Sequence, residues 1–468
     1  MTGSPEPLVA HLFREEAGRM VTRLTHALGA RHLDVAEDAV QDALLRALHT
    51  WPANGIPDKP AAWLFTVARH RALDRLRRDT WFREREAVIT AAVVALGEQG
   101  LDEGRLPFGD ADLCVMFLTC HPALSREARV ALTLKTVCGF GVDEIAHAYL
   151  QPPVTVAQRL VRAKRTLRDT GAVAEMPVHA DLVDRRAAVL ESLYLMFNEG
   201  YVAHSGDHLT RPEVCEEAVR LTRLVAIAPD TACPEAAALL ALMLLHSARL
   251  AARTSNEGDV LLLDAQDRRH WDAGRLAEGL TWFDRSAVGD HLSPYHVQAA
   301  IAATHAAAPD MARTNWPRIV SLYDQLDRLV PSPVVRLNRA VALAQWQGAA
   351  AGLAALEADL LLSRLDGYYL AHAVRGTLLG QVGRTTEAVE AFGRALACGC
   401  SAPERRLIER RRTAAQRTLL ADDGFDGGEA RGADGGVGAK HQPDDQRGER
   451  ADDERAQAHG GIDEGFGS

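Results

Sequence analysis

From Leu8 to Arg168 the apolar residues return every three or four positions in two blocks, the spacing that lays one face of an α-helix against a core. In the first block, residues 8–86, a segment carrying Asp34, Glu37, Asp38 and Asp42 leads through a turn between Trp51 and Pro60 into an arginine-rich helix. There Trp63, Leu64, Val67, Ala68, Leu73 and Leu76 form the packing face, and Arg69, Arg71, Arg75, Arg77 and Arg78 take much of the remaining circumference. Residues 87–110, with Gly97, Gly100, Gly104, Pro107 and Gly109, are weakly patterned and read as a linker. In the second block, residues 111–170, Ser125 caps a helix with Val130, Ala131, Leu134 and Val137 inward and Gly139 at its end. A short helix follows with Ile145 and Ala146 inward; Gln151, Pro152 and Pro153 break it, and Val154 opens a third helix packed through Val156, Leu160, Val161 and Leu167. The pattern is helix, turn, helix.

From 180 to 420 the chain reads as a long helical region. Gly376, Gly383, Ala388, Phe392 and Ala395 fall at the small and aromatic positions of a 34-residue helical-hairpin repeat, and Gly348 marks a turn 35 residues before Gly383. A further helix pair fits between Pro294 and Pro331, with Trp316 and Tyr323 as packing aromatics. Such hairpins stack on a common core and expose a concave face.

Composition supports an all-α chain: 468 residues, 47% hydrophobic, with aromatics only 5%. The longest uninterrupted apolar run, Ala236 to Leu245, is well short of the roughly 20 residues of a membrane span. Pro5, Glu6 and Pro7 stand where a secretory signal would be basic and then apolar, so a cytoplasmic location and no membrane partner are expected. Charge divides unevenly. Residues 421–468 hold 13 acidic and 5 basic residues with 12 of the 37 glycines, carrying −8 of the net −10 and leaving −2 for residues 1–420. That composition predicts a disordered acidic tail.

The candidate chemistry is recognition, with no catalytic, metal or cofactor site. The seven cysteines form no disulfide framework, and Cys114, Cys120 and His121 lack a second ligand pair at zinc spacing, which leaves them as ordinary buried groups. From Arg69 to Arg85 seven arginines face Asp74, Asp79 and Glu84. A basic solvated face is one reading; the interleaved Trp63, Phe65, Trp81 and Phe82 support another, a surface for single-stranded or melted nucleic acid. Between Val154 and Arg168 there is no acid, and Thr155, Gln158, Arg159, Arg162, Lys164, Arg165 and Arg168 project outward. A recognition helix puts its first side chains, here Thr155, Gln158, Arg159 and Arg162, on base edges and its later cations on phosphates. Asn198 and Glu199 fit either a polar ligand site or a helix-linking role, Trp271, Trp282, Phe283 and Tyr295 read as core, and His204, His208, His246, His270 and His291 are scattered.

These residues carry a family resemblance. Asp34-Val-Ala-Glu-Asp-Ala-Val-Gln-Asp-Ala-Leu and Ala62-Trp-Leu-Phe-Thr-Val-Ala-Arg-His-Arg-Ala-Leu-Asp-Arg-Leu-Arg-Arg resemble region 2 of bacterial extracytoplasmic function (ECF) sigma factors. Leu124-Ser-Arg-Glu-Ala, Gly141-Val-Asp-Glu-Ile-Ala and Val154-Thr-Val-Ala-Gln-Arg-Leu-Val-Arg-Ala-Lys-Arg resemble their region 4. Val189-Leu-Glu-Ser-Leu-Tyr-Leu-Met-Phe-Asn-Glu-Gly-Tyr is similar to the start of an extension, ending in tetratricopeptide-like repeats, that a subgroup carries.

The resemblance implies that Asp34, Glu37, Asp38, Gln41 and Asp42 dock on the clamp of the largest RNA polymerase subunit. Trp63, Arg69, His70, Arg71, Arg75, Arg77 and Arg78 would melt and read a promoter −10 element. Thr155, Gln158, Arg159, Arg162, Lys164 and Arg165 would read the −35 element, beside the flap of the second-largest subunit. His70 stands where many members have Asn, and Ala157 where the recognition helix often has Lys, so promoter sequence does not carry over. The resulting expectation is two small helical domains, the second a helix-turn-helix, then a helical-repeat domain at 180–420 that takes a protein or small-molecule regulator. A polymerase-independent helix-turn-helix regulator with a repeat-type sensor explains the second block but gives the acidic segment no partner.

Overall fold

The computed structural model describes residues 20–77, 110–149, 151–170, 179–202, 209–255, 257–358 and 361–426, with isolated positions 18, 90 and 108. Arg78, Trp81, Phe82, most of the predicted linker and the tail from 427 onward lie outside the described residues. Among those described the chain is all-α, with no strand and one isolated antiparallel bridge between Thr254 and Val260. It divides into two compact units, one of residues 1–199 with 213–240, the other of 200–212 with 241–468.

In the first unit, helical residues 20–28 (α1) precede a hairpin of α2 (Leu33–Asn54) and α3 (Pro60–Leu76). Alanines at 36, 39, 43 and 47 of α2 and at 68 and 72 of α3 are buried between larger apolar side chains, so the two backbones approach closely. Gly55, at φ 82°, ends α2 in a left-handed turn that a side chain would strain, and Pro60 starts α3 at a position where its missing N–H costs nothing. On α3, Leu64, Ala68, Leu73 and Leu76 are buried as the pattern predicts. Phe65 is buried too, only 5% exposed, so it packs in the core and offers no face for base stacking.

The second block contains α4 (Ala111–Thr119), α5 (Arg126–Thr136), α6 (Val142–Ala148) and α7 (Pro153–Asp169). Asp110 caps α4 by accepting from Leu113 N–H at 2.8 Å, and Ser125 caps α5 through Ala128 N–H at 3.3 Å. Leu113, Cys114, Val115, Met116, Phe117 and Leu118 are all buried, so beyond Asp112 in its first turn α4 is apolar on every side and needs neighbours all round.

Two helices from beyond residue 170 supply some of them. Within the same unit, α8 (His179–Tyr201) sends Arg185 to donate to the Phe117 carbonyl at 2.8 Å, while its Glu191 accepts from Arg126 of α5 at 2.6 Å. From α9 (Pro212–Ile227), Arg220 donates to the capping carboxylate of Asp110 at 2.6 Å. The core of the second block therefore extends past residue 170 into α8 and α9. Helix α10 (Pro234–Ser247) follows. The stretch Pro234–Ala252 has mean hydropathy 1.4, long and apolar enough to cross a membrane, yet 83% of it is buried inside the protein, the setting of a core helix.

The second unit is a succession of helices packed on their neighbours: α11 (Ala273–Ser286), α12 (Pro294–Ala307), α13 (Trp316–Leu329), α14 (Pro333–Gln347), α15 (Ala349–Glu357), α16 (Leu361–Arg364), α17 (Tyr369–Gln381), α18 (Thr385–Ala397) and α19 (Ala402–Asp426). The last runs past 420, the predicted start of the tail. Gly348 and Gly383 turn the chain at positive φ, and Ala388, Phe392 and Ala395 are buried. A Cβ on Gly376 would stand 2.8 Å from ring carbons of Phe392, so only glycine lets α17 and α18 close to this distance.

Asp112 in the first turn of α4 has a carboxyl raised to about 6, first by burial and then by the neighbouring Asp110. A carboxyl raised on folding binds its proton more tightly in the folded state, so it withdraws stability as pH climbs from the unfolded value near 4 through 6. Thermal unfolding should therefore show Asp112→Asn more stable than wild type at pH 7.5, by up to about 3 kcal/mol, with the difference vanishing below pH 4.

Candidate nucleic-acid interface

The site is built from the outward faces of α2, α3 and α7. Because Leu33, Ala36, Val40, Leu44, Ala47 and Trp51 bury one side of α2, the acids at 34, 37, 38 and 42 are gathered on the other. Asp38 ion-pairs with Arg75 of α3, whose second nitrogen lies 3.4 Å from Asp42. Trp63 is half-buried, its ring tilted against Trp51 with centroids 5.6 Å apart. His70 and Arg71 are exposed, Arg69 donates to His70 Nε2 at 3.4 Å, and Arg77 pairs with Asp74 at 3.0 Å. Of the seven residues expected at the −10 element, six are thus placed on α3 or at its end, and Arg78 lies outside the described residues.

Helix α7 starts at Pro153, which follows the break at Pro152, and packs through Val156, Leu160, Ala163 and Leu167. Val161, predicted to pack, is 69% exposed: the inward positions run 156, 160, 163, 167, and residue 161 turns to solvent. The polar face is as the spacing requires, with Thr155, Gln158, Arg162 and Arg165 exposed. Arg162 donates to Gln158 at 3.3 Å, and Arg165 pairs with Asp169 at 3.6 Å. Arg159 differs. Its guanidinium lies over the Tyr149 ring, 5.9 Å from the centroid, while burial and then Glu191 hold the Tyr149 hydroxyl well above its ordinary pKa. A cleft of about 300 Å³ between α7 and the start of α5 is lined by Ser125, Thr155, Arg159, Arg162 and Thr166.

Lys164 and Arg168 both reach α2, Lys164 half-buried and Arg168 still exposed. Lys164 pairs with Glu37 and Arg168 with Asp34, joining α7 to the acidic face of α2 across more than 120 positions of sequence. Sequence reasoning placed both partners on functional faces but missed their pairing. The signal available was charge complementarity, a helix with no acid from Val154 to Arg168 and an acid-rich one in a nearly neutral body.

Among the described residues no three His, Cys, Asp or Glu gather as metal ligands. Burial pushes the thiols of Cys114 and Cys120 up to about 12, and Cys120 lies 3.5 Å from the Thr133 hydroxyl. Asn198 and Glu199 fall inside the last turn of α8, Glu199 buried. Trp271 and Trp282 are buried, while Phe283 and Tyr295 are half-buried.

Comparison with known proteins fits this geometry. Residues 13–82, which include α2 and α3, match sigma-70 region 2, so this part of the chain carries a domain of the RNA polymerase sigma factors, proteins that bind core polymerase and promoter DNA. Over most of its length the chain belongs to the same family as the uncharacterized protein R00370 of Rhizobium meliloti (strain 1021), with 40% identity over 397 residues, 82% of this chain and 92% of that protein. Residues 185–287 match a family of unknown function, DUF6596. No solved structure matches the chain.

The orientation of α7 is tested by two truncations one residue apart. Leu160→Ala, at a buried position, should lower stability by about 2–5 kcal/mol, and Val161→Ala, at an exposed one, should change it by less than about 0.5 kcal/mol. Denaturant titration of both variants measures the difference.

Proposed function

We propose that the chain is a sigma factor of the ECF type that recruits core polymerase through the acidic face of α2 and opens promoters with the basic face of α3. In this reading α5, α6 and α7 are a region 4 helix-turn-helix. Thr155, Gln158 and Arg162 sit on base edges of the −35 element. Arg159, braced by Tyr149 and lining the cleft with Ser125, fits a backbone phosphate better than a base edge. Polymerase supplies the catalysis. The observation that carries the reading is the hairpin of α2 and α3, with acids gathered on one helix and cations on the next, within a matched sigma-70 region 2.

The second unit, with turns at Gly348 and Gly383 and the close crossing of Gly376 on Phe392, supports a tetratricopeptide-like regulatory region that receives a protein or small molecule. The protein works in the cytoplasm, where polymerase is. A polymerase-independent regulator leaves the α2 acids without a docking role.

Run-off transcription with core polymerase on DNA from upstream of its own gene tests the reading. The full-length protein should yield a discrete core-dependent transcript. Gln158→Glu combined with Arg162→Glu should reduce it at least about tenfold, since each lost base contact is worth roughly 1–3 kcal/mol and the new carboxylates repel phosphate. Transcription unaffected by these changes would remove α7 from promoter recognition, and a protein that binds the DNA without core would favour the polymerase-independent regulator.

A further inference from the structure

We propose that Cys398 and Cys400, in the turn between α18 and α19, form a two-thiol site for a thiophilic monovalent cation of the Cu(I) class. The site lies wholly in the second unit and is independent of the sigma-factor reading.

Of the seven cysteines, these two alone stand within two positions of each other. Cys398 ends α18 in an extended conformation, φ −78° and ψ 153°, and residues two apart in extended chain project from the same side. Both side chains are half-buried against the same apolar cluster, while Gly399 between them is exposed and a Cβ there would meet nothing within 4 Å. Two residues of extended chain span at most about 7 Å, so a single ion can lie between the two sulfurs. Cys114, Cys120 and Cys215 are buried, away from an ion arriving from solvent.

Both ends of the turn are held. On the entry side the Cys398 N–H donates to the Arg394 carbonyl at 3.2 Å, and its thiol donates to the Asp366 carbonyl at 3.7 Å. On the exit side Ser401 donates its N–H and hydroxyl to the buried Glu404 carboxylate at 2.9 and 2.6 Å, and Tyr369 of α17 donates its hydroxyl to the same carboxylate. A turn fixed in this way meets an ion without first having to be ordered.

Ligand number selects the ion. Among the described residues no third His, Cys, Asp or Glu completes a group with the pair, and the Nε2 of nearby His372 lies 2.8 Å from the Asp366 carbonyl that Cys398 also shares. Zinc needs four ligands in a structural site and three in a catalytic one, whereas soft Cu(I) is satisfied by two thiolates in line. Two thiols and one Cu(I) give a bis-thiolate complex of one negative charge; two protons leave to water and no oxidation state changes. Burial and then Asp366 hold the Cys398 thiol above its ordinary pKa, and burial and then Glu404 do the same for Cys400. Few thiolates are therefore present at neutral pH, so the pair reacts slowly with oxidants and is kept for an ion that binds sulfur strongly enough to displace its protons.

Anaerobic titration of the reduced full-length protein with Cu(I) buffered by the chelator bicinchoninate tests the site. One equivalent should pass to the protein, and Cys398→Ser or Cys400→Ser should each weaken binding at least about a hundredfold, because the second thiol acts at high effective concentration only while the first is in place. A second measurement needs no variant: in the wild-type protein Cu(I) should protect Cys398 and Cys400 from alkylation by iodoacetamide, read by peptide mapping, and leave Cys138 and Cys233 unchanged. The site is overturned if the wild type takes no Cu(I) from the chelator, if the ion protects other cysteines instead, or if single variants shown by circular dichroism to be folded keep wild-type affinity.

Discussion

The acidic face of α2 organises the first unit. Its four carboxylates meet Arg75 of α3 on one side and Lys164 and Arg168 of α7 on the other, so one short stretch of sequence joins the hairpin to the helix of the second block. Half-exposed ion pairs of this kind contribute little stability, about 0–1 kcal/mol each, beside the apolar burial along Leu33 to Trp51. Their importance is positional, and weak pairs are easily exchanged for other partners.

The hairpin and the polar face of α7 were legible in the sequence because both are local. Spacing of three and four residues identifies which side of a helix is buried, and the prolines at 60, 152 and 153 mark where helices begin. Where one position was decided by tertiary fit, periodicity gave less. Val161 and Ala163 are both compatible with the apolar pattern, yet Ala163 is buried and Val161 is exposed. Phe65 reads as an exposed aromatic among arginines, yet the core beneath the hairpin takes its ring.

Contacts far apart in sequence were not legible. The pairs Lys164–Glu37 and Arg168–Asp34 depend on how two blocks fold together. The anchoring of α8 and α9 through Arg185, Glu191 and Arg220 joins positions 65 or more residues apart in sequence. In the second unit, glycine turns and the Gly376 crossing could be read from spacing. The setting of Tyr201 could not: Arg253 stacks 3.9 Å above its ring and Arg249 donates to its hydroxyl at 2.6 Å, both from about fifty residues downstream. Tyr201, Arg249 and Arg253 all fall in the 185–287 stretch shared with a family of unknown function, where they build a buried cation–aromatic core.

The central claim is that this chain occupies the sigma position on RNA polymerase. Adding the full-length protein to core polymerase already loaded with another sigma-70 factor, and separating the complexes by sedimentation, tests it directly. The account predicts a one-to-one complex from which the resident factor is displaced in proportion to the protein added. Binding without displacement, or no binding by folded protein, would contradict it.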